Sequence, residues 1–185
     1  DADLDSAVAG CVAGIFGAAG QSCVAGSRLY LQEGIADAFL DRLVAIAETI
    51  RIGDPQDAAT QMGPLCTPGQ LAGIEARVAR AVDEGAALLT GGRRPEGLPG
   101  LYYAPTILAC PAQTLEIVDT ELFGPVLAVL RFRYEAEALR LANDSRHGLA
   151  AGVFTRDAAR AHRMARDLRA GIVWVNTYRV ISPVA

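Results

Sequence analysis

PVLAVLRFR (125–133), EAEALRLAND (135–144), AAGVFT (150–155), DAARAHRMARDLR (157–169) and IVWV (172–175) follow one another in the C-terminal third of the chain. The first, third and fifth stretches are short and rich in apolar and β-branched residues, as buried strands are. The second and fourth place apolar residues at helical spacing among charges. Gly171 stops the second helical stretch just before the last apolar run. Strands alternating with helices of this length predict β-α-β units, and therefore parallel pairing. The expected fold is α/β, a mostly parallel twisted sheet flanked by helices. One sheet is expected to include the strands near 27–32, 125–133, 150–155 and 172–175.

The same alternation extends upstream. Residues 3–18 carry Leu4, Val8, Cys11, Val12 and Ile15 at helical spacing, with Asp3 placed to cap the start. Residues 27–32 suit a strand, and residues 35–50 an amphipathic helix. Gly53-Asp54-Pro55 and Gly63-Pro64 mark a long ordered loop. Residues 68–84 form another amphipathic pattern, ended by Gly85. Strands are expected near 87–90 and 102–108. Residues 1–185 read as a single domain, expected to be part of a longer chain.

Composition narrows the function classes. The chain has 185 residues, half of them hydrophobic, and a net charge of −4. That charge argues against nucleic acid. All 17 basic residues are arginine, so a Schiff-base or lysine general-base mechanism has no residue to run on within this chain. The four cysteines form no CxxC pair, and the two histidines, His147 and His162, complete no ligand cluster; no metal site is expected. With no long apolar run, no membrane partner is expected, and the cysteine usage suits a reducing, cytoplasmic setting.

The most informative segment is Phe16-Gly17-Ala18-Ala19-Gly20-Gln21-Ser22-Cys23. Gly17 and Gly20 break the helix and permit a tight path with positive φ or a close approach. A cysteine on such a turn can be offered to a cleft, with backbone N–H groups directed at an oxyanion. The same residues also suit a buried structural cysteine, and on spacing alone that reading leads. Cys11, Cys66 and Cys110 read as apolar fillers, Trp174 as core, and both histidines as surface or packing residues. Glu121 and Phe123, from the residues alone, read as a solvated turn acid and a core anchor. Asn176 reads either as a strand-end turn former or as a bridge between backbone groups.

Gly20-Gln21-Ser22-Cys23, followed by Ala25-Gly26-Ser27-Arg28, resembles the catalytic-cysteine motif of the aldehyde dehydrogenase superfamily. Further segments resemble the same family in the same order: Asp1-Ala2-Asp3-Leu4-Asp5, Gly53-Asp54-Pro55, Met62-Gly63-Pro64-Leu65, Tyr103-Ala104-Pro105-Thr106, Glu121-Leu122-Phe123-Gly124-Pro125-Val126 and Trp174-Val175-Asn176. The resemblance implies that Cys23 is the nucleophile in NAD(P)-dependent oxidation of an aldehyde to an acid, through a thiohemiacetal and a thioester. It implies cofactor contacts from Glu121 (the ribose diol) and Phe123 (the nicotinamide). Thr120 stands where family members often carry a second acid. The resemblance puts Ser22, Val24, Arg179 and Ile181 near the aldehyde, with Arg179 suited to a substrate carboxylate or else turned to solvent. It also implies a homo-oligomer, dimer or tetramer, in the complete protein.

The family's general-base glutamate, oxyanion asparagine, ribose-binding lysine and dinucleotide-binding region match nothing in residues 1–185. These residues alone are therefore expected not to oxidise aldehydes, and to self-associate through an open edge at 172–175. Two rival readings stay open: a cysteine esterase or acyl transferase, which needs a histidine near Cys23, and a non-catalytic interaction module that kept the fold.

Overall fold

A computed structural model describes residues 1–180. Its helices are α1 (Leu4–Phe16), α2 (Glu33–Thr49), α3 (Pro68–Asp83), α4 (Glu116–Asp119), α5 (Glu135–Asn143) and α6 (Ala158–Asp167). Its strands are β1 (Arg28–Gln32), β2 (Ala87–Thr90), β3 (Thr106–Ala109), β4 (Val126–Phe132), β5 (Ala150–Val153) and β6 (Ile172–Val175). A single 3₁₀ turn, Gly17–Gly20, follows α1. Among the described residues no helix is long and apolar enough to cross a membrane.

β4 is the central element because its apolar run is buried on both faces, the pattern of a strand covered by helices on each side. Leu127 and Val129 point to a core shared with α1 and α2. Val126, Ala128 and Leu130 point to a second core with α3 and α4. β3 alternates in the same way, giving Ile107 to the first core and Leu108 to the second. The larger sheet runs β1-β4-β3-β2, with β1 and β3 parallel to β4 and β2 antiparallel to β3. The α/β, mostly parallel architecture is thus as expected.

The single sheet is not. β5 and β6 pair in parallel with each other but form a separate two-stranded sheet. β1 ends the larger sheet, and β1 and β5 both line a cleft of about 610 Å³ that lies between the two sheets. Apolar alternation identifies strands but carries nothing about which edges meet, so it cannot divide four strands between two sheets. Smaller differences have local causes. The strand expected near 102–108 starts only at Thr106, after Pro105, and α4 is too short to leave a helical period.

Side-chain caps fix the helices that frame the site. Asp3 accepts from the Ser6 amide at 2.9 Å at the start of α1, as anticipated. Thr67 accepts from Gln70 at 3.2 Å, with Pro68 in the first turn of α3. Inside α1, Gly10 and Gly14 each cost about 1 kcal/mol relative to alanine. Their reason is packing. A Cβ on Gly10 would meet the Phe154 ring at 2.5 Å, and one on Gly14 would meet Tyr178 at 3.0 Å. Both rings belong to the smaller-sheet unit, so this face of α1 joins the two parts of the molecule.

Candidate active site

Cys23 is exposed, a short way beyond the end of α1. The chain reaches it through three consecutive left-handed residues, Ala18 (φ 55°), Ala19 (φ 52°) and Gly20 (φ 70°). Two alanines in this region are uncommon, at a cost on the order of 1 kcal/mol each, and surrounding contacts must hold them there. The Gln21 amide closes the turn onto the Ala18 carbonyl at 3.0 Å. Its side chain then bridges a second loop, donating to Pro64 O at 3.1 Å and accepting from the Cys66 amide at 2.8 Å. Gly20 packs against a third loop so closely that a Cβ there would lie 2.0 Å from the Gly124 carbonyl oxygen. That third loop carries Glu121 and Phe123, and the Phe123 carbonyl accepts from the Gln70 side chain.

These contacts explain how residues about a hundred positions apart meet. Ser22, Cys23, Thr120, Glu121 and Phe123 all line the one cleft. Phe123 is 41% exposed and left-handed at φ 55°, so it is not the core anchor its residue type suggests. Its ring stands open on the cleft wall beside the exposed Glu121. A carboxylate that accepts two hydrogen bonds, next to an open aromatic face, fits the diol and flat ring at one end of a nicotinamide nucleotide.

The four thiols divide by environment. Burial pushes the Cys11 thiol up to about 12 and the Cys110 thiol up to about 11, so both stay protonated. Cys23 and Cys66 are exposed. Cys66 is therefore no apolar filler: it stands exposed on the loop just before the Thr67 cap, while its neighbour Leu65 takes the place in the core. His147 also lines the cleft, but its ring Nε2 lies 3.0 Å from the Asp119 carbonyl, and the neighbouring Arg146 pairs with the Asp119 carboxylate. Histidine and arginine together clasp the base of the loop that carries Glu121. Among the described residues no three His, Cys, Asp or Glu side chains are grouped as a metal would need.

Three expected substrate-side residues fare differently from Ser22. Val24 does not line the cleft. Arg179 does not line it and is not turned freely to solvent either: its Nη1 donates to Gly17 O at 3.0 Å and to Ala13 O at 3.3 Å. The missed signal was the glycine series 10, 14 and 17, which lies on one helical face and seats Phe154, Tyr178 and Arg179. Ile181 lies outside the described residues. Asn176 proves to be a bridge, accepting from the Thr155 amide at 2.9 Å and donating to the Thr155 carbonyl at 3.0 Å. Gln21, which ties two loops of the site together, left no pattern by which residues 64 and 66 could have been foreseen.

The fold is an α/β domain that brings an exposed cysteine, a carboxylate and an open aromatic ring to one cleft. The model of the aldehyde dehydrogenase family matches residues 1–185, and the chain belongs to that family. It is 52% identical over its whole length to a (Z)-2-((N-methylformamido)methylene)-5-hydroxybutyrolactone dehydrogenase of Acinetobacter baylyi, of which it covers 38%. Among solved structures it is similar to a putative aldehyde dehydrogenase from Burkholderia cenocepacia, with a TM-score of 0.96, 45% identity, and coverage of 99% of this chain and 38% of that one. It is likewise similar to a betaine aldehyde dehydrogenase from Staphylococcus aureus solved in complex with NAD+, with a TM-score of 0.97, 39% identity, and coverage of 100% of this chain and 38% of that one. The chain thus spans about 38% of the length of these relatives.

Proposed function

We propose that this chain is the cysteine-bearing part of an NAD- or NADP-dependent aldehyde dehydrogenase, with Cys23 as nucleophile. The observation that carries the reading is the meeting of an exposed Cys23 with Glu121 and Phe123 on one cleft. The Cys23 sulfur attacks the aldehyde carbon, and the carbonyl oxygen becomes an oxyanion held in part by the Cys23 backbone N–H. Loss of hydride from the resulting thiohemiacetal leaves a thioester on Cys23. Water then releases the carboxylic acid and restores the thiol. When bound, the nicotinamide supplies the hydride acceptor. Glu121 would hold its ribose, and Phe123 would give the ring a surface to lie on.

Ser22 lines the cleft beside Cys23, which supports reading it as a residue that touches the aldehyde. The base for deacylation and the phosphate-binding helix end correspond to nothing in residues 1–185, so the activity belongs to the complete protein. That protein is read as cytoplasmic and homo-oligomeric. β6, with Ile172 and Val175 exposed, is where residues 1–185 by themselves would associate.

The test is Cys23→Ala in the full-length protein. Dehydrogenase activity is expected to vanish while dinucleotide affinity stays within a few-fold, because the thiol forms the covalent intermediate and contributes little to binding. Retention of a large share of kcat would remove Cys23 from the reaction.

A further inference from the structure

We propose that Arg179 is a positioning residue for Cys23: its guanidinium clamps the end of α1 and so holds the left-handed turn that delivers the nucleophile. The proposal rests on the reading of Cys23 as nucleophile but concerns a residue that reading does not use.

Four observations carry it. First, the contact is at the right place. Arg179 Nη1 bridges Ala13 O and Gly17 O, one in the last turn of α1 and the other at the first residue of the turn leading to Cys23. Second, the charge has the right sign. The C-terminal end of a helix is the negative end of its dipole, and the last turn of α1 contains no basic residue of its own. Arg179 supplies that cation from the far end of the chain. Third, room has been left for it. A Cβ on Gly17 would lie 2.5 Å from Nη1, so any side chain there would force the guanidinium to shift from this position. Gly17 has φ −57°, a value open to every residue, so its backbone does not call for glycine.

Fourth, the segment bearing Arg179 is itself anchored. Trp174 Nε1 donates to the Val180 carbonyl at 2.8 Å, closing the loop around Arg179. The Tyr178 ring lies 4.8 Å from the Trp174 ring and fits against Gly14 and Gly152, where a Cβ would come within 3.0 and 2.5 Å of it. Asn176 fixes the start of the segment to Thr155. Arg179, at φ 63°, is thus held by the smaller-sheet unit while its guanidinium grips α1. The turn at 17–20 contains two left-handed alanines that must be held from outside. Gly124 holds its far end, Gln21 the residue after it, and Arg179 its near end.

The same geometry withdraws Arg179 from the role of a carboxylate-selecting residue, and the two roles differ in kinetics. A positioning residue changes kcat for every aldehyde. A substrate partner changes KM for aldehydes that carry a carboxylate.

The test uses the full-length protein and compares Arg179→Ala, Arg179→Lys and Gly17→Ala with wild type. Amide hydrogen exchange over residues 17–23 is read alongside kcat and KM for a neutral aldehyde and a semialdehyde acid of equal length. Arg179→Ala is expected to speed exchange in that segment and to lower kcat roughly tenfold or more for both aldehydes, because displacement of a reacting atom by about 1 Å can cost a hundredfold. KM for the cofactor should change little. Gly17→Ala, which keeps the arginine but takes its place, should reproduce the loss, and Arg179→Lys should restore part of it.

Unchanged exchange at 17–23 overturns the proposal. So does faster exchange with unchanged kcat, which would reduce Arg179 to stability alone, and so does a loss confined to the semialdehyde acid. If Arg179→Ala fails to fold, Gly17→Ala decides by the same readings. If the wild-type protein oxidises no aldehyde, the functional reading fails by itself, and exchange together with the alkylation rate of Cys23 still decides whether Arg179 holds the turn: both must change in Arg179→Ala for the proposal to stand.

Discussion

Gly20→Ala adds one methyl group at the point where the nucleophile turn meets the loop bearing Glu121. Gly20 has φ 70°, where an L-residue pays roughly 1–2 kcal/mol. The new Cβ would lie 2.0 Å from Gly124 O, 2.3 Å from Gly124 C and 2.9 Å from Pro125 N. The nearest of these is roughly 1.5 Å short of van der Waals separation. All three are backbone atoms, so no side chain can swing aside; one loop must move. Such overpacking costs a further 1–3 kcal/mol or so, which puts the destabilisation at roughly 2–5 kcal/mol. Gly34→Ala is the matched control. It adds the same methyl in α2, where nothing lies within 4 Å and φ is not positive, and should gain about 0.5–1 kcal/mol. Urea unfolding followed by the single tryptophan, Trp174, measures both. In the full-length protein the same displacement separates Cys23 from the Glu121 loop, so kcat should fall on the order of a hundredfold. A Gly20→Ala protein destabilised by less than about 1 kcal/mol, with kcat within about twofold of wild type, would refute the account of how the two loops are held together.

Thiol labelling should separate the cysteines. Only the thiolate reacts, so a neutral alkylating agent at about pH 8 should modify the exposed Cys23 and Cys66 in the native chain well before the half-buried Cys11 and Cys110, whose thiols are held protonated. Peptide mapping that finds Cys11 labelled as fast as Cys23 would contradict the raised pKa of the Cys11 thiol. Acid should weaken the tie between α5 and α6. Hydrogen bonds from Arg163 and then Arg160 hold the Glu135 carboxyl down at about 2. A carboxyl depressed in the folded state stabilises fully above its unfolded value of about 4.3 and loses that contribution as pH falls toward 2. Trp174 fluorescence should therefore show wild type more stable than Glu135→Gln at neutral pH, the difference shrinking as pH falls from about 5 to about 2 and being smaller in high salt because the pair is partly open to solvent. A difference independent of pH would mean that the pairing with arginine is not its source.

How much could be read in advance follows from the distance over which each interaction acts. α1 with its Asp3 cap, the Gly85 stop after α3 and the apolar runs of β4, β5 and β6 are local, so periodicity and capping residues reveal them. The division into two sheets is not local. β1 and β5 were each recognisable as strands, yet which edges pair depends on what stands between them, and no spacing within either strand encodes that. The site divides the same way. Motif resemblance pointed to Cys23, Glu121 and Phe123, and they line one cleft; the residues alone gave the wrong environment for Phe123, because aromatic type says core while φ 55° and 41% exposure say cleft wall.

The parts that escaped are the ones that hold the nucleophile in place. Gln21 reaches residues 64 and 66, Gly20 meets Gly124, and Arg179 meets Ala13 and Gly17. Every one of these contacts ends on a backbone atom. A backbone carbonyl or amide is the same at every position and leaves no mark on residue type, so only the side-chain half of such a pair is visible in a sequence, and without its partner it looks like an ordinary surface glutamine or arginine. Glycine is the exception. Where a side chain or a backbone must come within reach of a Cα, the missing Cβ is itself the record, and Gly10, Gly14, Gly17 and Gly20 write that record along one side of α1 and its turn. A glycine that neither its φ nor a turn requires, as at 14 and 17, is therefore the sequence feature from which a distant contact onto the nucleophile's helix could have been inferred.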